Sequence, residues 1–131
     1  IRVGYGIANP SLIEILNRIR QPFNVNAIAQ AMASIAINDH EHIRKSIELN
    51  SQQNEFLFDQ LTKLGLDCIP SVGNFITFKG NFSGREMFNQ LMKKGVIVRS
   101  VDLYDMKDFI RVTIGTESEN LKFLKALEEL L

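Results

Sequence analysis

The sequence predicts an α/β fold in which helices pack on a small sheet to form a two-layer α+β domain. Apolar residues recur at helical spacing along residues 10–64, and short β-like segments alternate with helical ones from Leu66 onward. A length of 131 residues with 45% hydrophobic residues suits one compact domain with a real core.

Residues 1–38 are predicted to hold a strand and two helices. The segment 1–8 is β-like, and Asn9 with Pro10 supplies a helix cap followed by proline at the first helical position. Asn26 can cap a second helix, which is rich in alanine. We expect this segment to be the tail of a larger domain, with its apolar residues exposed when that domain is absent.

Residues 39–65 are predicted to form one long helix that ends at Gly65. One stripe of this helix is apolar at both ends and carries Asn50 and Asn54 in the middle. An interrupted apolar face indicates that the two halves of the helix pack on different bodies. We therefore interpret residues 39–65 as a domain-linking helix.

Residues 66–131 are predicted to form a small C-terminal domain. Strands are expected at 66–69, 74–78, 96–99 and 109–114. Ser83 with Glu86, and Thr116 with Glu119, have the spacing of capping boxes and predict a helix after each. The final helix is expected to carry leucines 121, 124, 127 and 131 at helical spacing.

Composition speaks against several classes of protein. Fifteen Lys and Arg balance fifteen Asp and Glu, which leaves no bulk positive charge to bind nucleic acid or an anionic membrane. No apolar run approaches the roughly 20 residues of a membrane-spanning helix. Cys68 is the one cysteine, so there is no internal disulfide, and a reducing, cytoplasmic compartment fits best. Because the chain opens without Met inside a strand-like run, we expect a fragment.

Arg111 is the most informative single residue. In a strand over 109–114, Ile110 and Val112 share the core face, while Arg111 lies on the other face with no neighbouring carboxylate. A guanidinium held there can bind a carboxylate or phosphate, or it can be a solvated arginine on an open sheet. Arg99, at the end of an apolar strand, allows the same two interpretations.

The remaining candidates are less specific. Asn74 at the start of a strand can bind a ligand or complete a turn, and turn chemistry is the commoner explanation. His40 and His42 are two residues apart and do not share a helical face, which argues against a metal pair. Cys68 is predicted to be a packing residue rather than a nucleophile. No metal site and no catalytic residue is predicted.

Five segments resemble one enzyme family in order and spacing across essentially the whole chain. The segments are Arg2-Val3-Gly4-Tyr5-Gly6, Arg20-Gln21-Pro22-Phe23-Asn24-Val25-Asn26, Ser71-Val72-Gly73-Asn74-Phe75, Gly95-Val96-Ile97-Val98-Arg99 and Ile110-Arg111-Val112-Thr113-Ile114-Gly115. They resemble the histidinol-phosphate aminotransferases, fold type I enzymes that use pyridoxal phosphate. The resemblance implies a C-terminal part: the end of the large cofactor-binding domain (1–38), the linking helix (39–65) and the small domain (66–131).

The resemblance also implies roles for four residues. Arg2 matches the arginine that holds the cofactor phosphate, and Arg111 matches the arginine that takes the substrate carboxylate. Arg99 matches a second substrate-side arginine, for a phosphate, and Asn74 matches an asparagine of the active-site strand. The lysine that binds the cofactor covalently is expected just upstream of Ile1, so we expect the fragment to be inactive and not to bind pyridoxal phosphate.

The activity implied for the full-length enzyme is transfer of an amino group between histidinol phosphate and 2-oxoglutarate, in histidine biosynthesis, by a cytoplasmic homodimer. A phosphorylated amine or amino acid is then the substrate. Threonine-phosphate decarboxylases share much of the pattern and are an alternative. A non-enzymatic α/β domain that binds a small molecule is another, because a fold alone does not assign a function.

Overall fold

The computed structural model describes residues 2–131, and the chain divides into two compact units, Ile1–Arg44 and Lys45–Leu131. The first unit holds helices α1 (Pro10–Ile19) and α2 (Ala27–Ala36). Helix α3 (His40–Lys63) begins in the first unit and ends in the second. The predicted division at residues 38 and 65 stays a prediction, and Ile1, where it starts, lies outside the described residues.

Side-chain caps begin the first two helices, as predicted. Asn9 accepts a hydrogen bond from the backbone N–H of Ser11 at 3.1 Å, and Pro10 occupies the first helical position. Asn26 accepts from the N–H of Ala29 at 2.8 Å. The predicted strand over residues 1–8 is wrong as far as residues 2–8 are described: these pair with no other segment, and a strand requires a partner ladder.

The first unit leaves its large apolar side chains exposed. Ala29 is the one fully covered hydrophobic residue described there, while Ile7 is 90% and Phe23 is 97% exposed. Leu12 and Leu16, on the apolar stripe of α1, are each nearly half exposed. This matches the expectation of uncovered apolar side chains in this segment, and exposed apolar patches in soluble proteins often mark surfaces for interaction.

The second unit contains a four-stranded antiparallel sheet. Its strands are β1 (Asp67–Ile69), β2 (Phe75–Lys79), β3 (Arg99–Ser100) and β4 (Phe109–Thr113), in the order β1-β2-β4-β3. The centre of the sheet is the β2–β4 ladder, which pairs Phe75 with Thr113 and Lys79 with Phe109.

The strand predicted over 96–99 is wrong for residues 96–98, because pairing with β4 begins only at Arg99. Val96 and Val98 nevertheless pack on the core, whereas Ile97 is 83% exposed. The apolar run at this place reflects burial of two side chains in a segment without a ladder. Sequence alone does not separate that case from a short edge strand.

Helices α4 (Gly84–Lys93) and α5 (Glu117–Glu128) cover one face of the sheet, so the predicted two-layer α+β arrangement is confirmed. The capping box of α5 is present, since Glu119 accepts from the backbone N–H of Thr116 at 2.8 Å. The one predicted for α4 is wrong, because the Ser83 side chain makes no cap hydrogen bond. There the Gly84 N–H donates to the Lys107 carbonyl instead, at 3.0 Å.

The core lies between the helices and the sheet. Its fully buried large side chains are Leu57, Leu61, Ile76, Phe78, Leu91, Ile110 and Leu127. Of the four leucines noted in the last helical segment, Leu124 and Leu127 are buried, whereas Leu121 and Leu131 are 49% and 57% exposed. The face of α5 that meets the sheet therefore differs from a plain leucine stripe, and it includes Phe123.

Leu127→Ala is expected to lower the free energy of unfolding by about 2–5 kcal/mol, because a fully buried leucine leaves a cavity. Leu121→Ala, on the same helix but half exposed, should cost under about 1 kcal/mol. Urea denaturation of both variants measures the difference. Equal losses would contradict this assignment of the buried face.

Stability should also fall in acid. Hydrogen bonds lower the pKa of three carboxyls: Asp102 through Ser100 and then Arg85, Glu119 through the Thr116 backbone, and Glu129 through Lys94. A carboxyl whose folded pKa lies below its unfolded value stabilises the fold above the unfolded pKa and loses this contribution as the pH falls through the folded one. The free energy of unfolding should therefore decline as the pH falls below the ordinary carboxyl pKa values, 3.8 for Asp and 4.5 for Glu.

Denaturant unfolding between pH 7 and pH 2.5 measures this dependence. The triple variant Asp102→Asn, Glu119→Gln, Glu129→Gln should show a shallower decline than the parent. An unchanged slope would mean that other groups govern acid unfolding.

Candidate functional site

Two arginines lie opposite each other on the open face of the sheet. Arg99 of β3 is the register partner of Arg111 of β4, so their side chains share a face, with Cβ atoms about 4.5–5.5 Å apart by the usual geometry of such pairs. Alternation along β4 places Ile110 and Val112 on the opposite face, where both are buried. The predicted faces of this strand are confirmed.

No carboxylate neutralises these two cations within residues 2–131. The ion pairs of that part of the chain involve other residues, and neither Arg99 nor Arg111 takes part in one. Like charges directly opposite each other destabilise an antiparallel pair. A face that keeps such a pair without a counter-ion is suited to an external anion, which two planar forks can bind through several hydrogen bonds.

Two aromatic rings support the cations of this face. The Arg111 Cζ lies 4.7 Å from the centroid of the Phe75 ring, and the Lys79 Nζ lies 5.3 Å from that of Phe109. Lys79 also pairs with Asp67 at 3.3 Å. The Arg111 guanidinium donates no hydrogen bond to another described residue, so its N–H groups are available to a ligand.

A short clamp holds the connection that leads from Arg99 to Arg111. Ser100 hydrogen-bonds to the Asp102 carboxylate, which also pairs with Arg85 of α4 at 2.8 Å. These bonds hold the pKa of Asp102 below its ordinary value, so this carboxylate stays charged and bound at neutral pH. The acidic group nearest in sequence to Arg99 is therefore engaged elsewhere.

Asn74 lies in the bend that enters β2. Its carbonyl accepts from the Ile114 N–H at 2.9 Å, which extends the β2–β4 ladder by one residue, and its side chain is exposed. By strand alternation Asn74 has the parity opposite to that of Phe75 and Arg111. The backbone role agrees with turn chemistry, and the ligand role stays a prediction.

The loop before Asn74 is held from α3 by two amides whose function the sequence did not reveal. Asn50 donates to the Gly73 carbonyl at 3.2 Å and Asn54 to the Ser71 carbonyl at 2.9 Å. The signal was present, since two asparagines four residues apart interrupt an otherwise apolar stripe. Their partners, however, are backbone atoms 17 and 23 residues away in the chain.

Arg2 lies in the first unit. It is exposed, makes no ion pair among the described residues, and lines a shallow cavity of about 470 Å³ with Val3, Gly4, Asn24 and Val25. A free guanidinium beside glycine backbone is a donor set that fits a phosphate.

The other candidates offer no chemistry. Cys68 is half buried, and this burial raises the pKa of its thiol, which keeps it protonated at neutral pH. Within residues 2–131, no three His, Cys, Asp or Glu side chains are grouped as metal ligands, and no helix is long and apolar enough to cross a membrane.

A family model described as aminotransferase class I and II matches residues 1–127. The chain belongs to this family. Histidinol-phosphate aminotransferase of Moorella thermoacetica is 47% identical over 131 residues, which are all of this chain and 34% of that protein. The resemblance seen in the sequence motifs is thereby confirmed at the level of the family.

Solved structures agree in fold. The histidinol-phosphate aminotransferase of Clostridium acetobutylicum has a TM-score of 0.83 at 24% identity, over 93% of this chain and 38% of that one. The enzyme of the same name from Sinorhizobium meliloti, in complex with pyridoxal-5'-phosphate, has a TM-score of 0.79 at 18% identity, over 93% and 35%. The chain thus spans little more than a third of the relatives it matches.

Arg99→Gln is expected to stabilise the fold, because it removes a like charge directly opposite Arg111. The free energy of unfolding should rise by a few tenths to about 1 kcal/mol in low salt, and the gain should shrink as salt screens the pair. Chemical denaturation at two ionic strengths measures this. Arg85→Gln is the matched control and should lower stability slightly, because Arg85 pairs with Asp102. A loss of stability in Arg99→Gln would show that Arg99 has a structural partner.

Proposed function

We propose that this chain contributes the substrate-binding part of a histidinol-phosphate aminotransferase that transfers an amino group between histidinol phosphate and 2-oxoglutarate. The observation that carries the proposal is the pair Arg99 and Arg111, opposite each other on one sheet face without a carboxylate partner. The 47% identity to the Moorella enzyme along the whole chain supports this subfamily.

The chemistry of the two substrates suits two arginine forks. Histidinol phosphate carries a phosphate, and 2-oxoglutarate carries two carboxylates, so a site that receives them in turn must bind anions of both shapes. In our proposal Arg111 takes a substrate carboxylate and Arg99 takes the substrate phosphate, each through bidentate hydrogen bonds. Residues of this kind accelerate a reaction by binding the anionic group of the substrate and so holding the reacting group in a fixed position.

Arg2 is proposed to hold the phosphate of pyridoxal phosphate. Its exposed, unpaired guanidinium and the adjoining Gly4 backbone fit a phosphate group. When bound, this cofactor supplies an electron sink that lets bonds at the amine-bearing carbon of the substrate break. This chain's part is to bind the cofactor phosphate and to bind and orient the anionic groups of the substrates. Asn74 is proposed as a further substrate contact.

The wider organisation belongs to the same proposal. We place residues 1–38 in the tail of the large cofactor-binding domain, 39–65 in the linking helix and 66–131 in the small domain. The exposed apolar side chains of the first unit support a homodimer, in which an apolar surface of this kind is covered. The enzyme would act in the cytoplasm, in histidine biosynthesis, without nucleic acid or membrane as partners.

In a longer protein that contains this chain, Arg111→Lys should lower kcat/KM for 2-oxoglutarate, the substrate that carries carboxylates, by about 30-fold or more. Lysine keeps the charge but loses the planar fork, and loss of such a contact in a desolvated site costs on the order of 2–5 kcal/mol. Steady-state kinetics and thermal unfolding of the same variant separate binding from folding. Arg85→Lys, which changes a surface ion pair, is the control and should stay within a few-fold of the parent.

An Arg111→Lys enzyme within a few-fold of the parent would make Arg111 an ordinary surface arginine. Assays of the parent with threonine phosphate test the decarboxylase alternative, because that reaction releases carbon dioxide and leaves 2-oxoglutarate unconsumed. A protein that turns over neither substrate but binds one of them would be the non-enzymatic domain.

A further inference from the structure

We propose that Asn50 and Phe75 are positioning residues for Arg111. Asn50 holds the Gly73 carbonyl, the Phe75 ring packs close to Gly73, and that ring holds the Arg111 guanidinium through a cation–π contact. The importance of this arrangement for an anionic substrate rests on the function proposed above, whereas the arrangement itself can be tested without a substrate.

Helix α3 fixes the loop before β2 through side-chain hydrogen bonds. Asn50 donates to the Gly73 carbonyl at 3.2 Å, and Asn54, one turn later, donates to the Ser71 carbonyl at 2.9 Å. Within the loop, the Gly73 N–H donates to the Ser71 hydroxyl at 3.1 Å. Three hydrogen bonds therefore fix a three-residue segment that is otherwise outside helix and strand.

The Phe75 ring lies close to Gly73. A Cβ atom built on Gly73 would lie 3.3 Å from the Phe75 Cε1 and 3.6 Å from its Cδ1. Glycine at position 73 thus lets one edge of the ring lie close to the residue whose carbonyl Asn50 holds. The ring has the loop on one side of it as a fixed support, and its position follows that of the loop.

The Phe75 ring contacts Arg111 on the neighbouring strand, β4. In the β2–β4 register Phe75 pairs with Thr113 and Arg111 pairs with Thr77, so the two are diagonal neighbours on the open face. The Arg111 Cζ lies 4.7 Å from the ring centroid, which is within the range of a cation–π contact. This ring is the one described aromatic partner of the guanidinium.

Positioning of this kind is needed because Arg111 faces Arg99 and has no carboxylate to fix it. A long side chain repelled by its neighbour samples many rotamers, and ordering it on binding costs free energy. A ring that restricts where the guanidinium lies removes part of that cost before the anion arrives. The planar fork then meets the anion in the orientation that bidentate binding requires.

The test is NMR of the Arg111 side chain in the complete 131-residue chain, free of ligand. In the parent, the Phe75 ring current should shift the Arg111 Hδ and Hε signals upfield, and the order parameter of its Nε–H should be that of an ordered group. Phe75→Leu should abolish the shift and lower the order parameter below about 0.6, the flexible range, whereas Phe75→Tyr should keep both.

Asn50→Ala should reduce the shift and the order parameter in the same direction, while the backbone amide signals of β4 stay unchanged. Asn50→Leu, which keeps the volume but lacks the donor, should do the same and serves if the alanine variant does not fold. Gln52→Ala, an exposed change on the same helix, should leave Arg111 as in the parent. Parent-like Arg111 signals in both Asn50 variants would overturn the role of Asn50, and parent-like signals in Phe75→Leu would overturn the whole proposal.

Titration with inorganic phosphate then separates this inference from the proposed function. Phosphate should perturb the Nε–H signals of Arg99 and Arg111 in the parent and should bind more weakly to Phe75→Leu than to Phe75→Tyr. If phosphate perturbs neither arginine in the parent, the anion site fails, while the ring-current result still decides whether Phe75 and Asn50 position Arg111.

Discussion

The register of β4 between β2 and β3 is the constraint on which the rest of the second unit depends. Side chains alternate along a strand, so one register sends Ile110 and Val112 into the core and Arg111 to the open face. A slip of one residue would bury the guanidinium and expose both hydrophobic side chains. The two fully or nearly fully buried residues therefore fix the arginine, and the same ladder sets it opposite Arg99.

The open face is a compromise between stability and binding. Two arginines in register repel each other, and the fold tolerates the repulsion because β2 and β4 are held by the core beneath them. The amides of α3 and the Phe75 ring order the surroundings of Arg111 without neutralising it. A carboxylate in the same place would order it equally well but would occupy the hydrogen bonds that an anionic ligand needs.

Local chemistry explains which parts of the fold could be predicted. Asn9, Asn26 and Gly65 act within one turn of their own helices, and the structure has all three helix ends where the sequence places them. The strand prediction failed at residues 96–98 because a buried segment without strand pairing has the same run of apolar residues as a short strand. The hold of Asn50 on Gly73 and the stacking of Phe75 on Arg111 join residues from different elements, and no local pattern encodes such partners.

The overall charge balance of the chain does not determine the local charge at the arginine pair. The chain carries fifteen acidic and fifteen basic residues, so it has no net charge, but this balance says nothing about how the charges are distributed. Asp102, the acidic side chain nearest in sequence to Arg99, is bound by Ser100 and Arg85 on the connection between β3 and β4. Its engagement there leaves the facing arginines without a counter-ion. A chain with no net charge can thus present two arginines side by side on one sheet face, because the nearest carboxylate in sequence is bound to other residues.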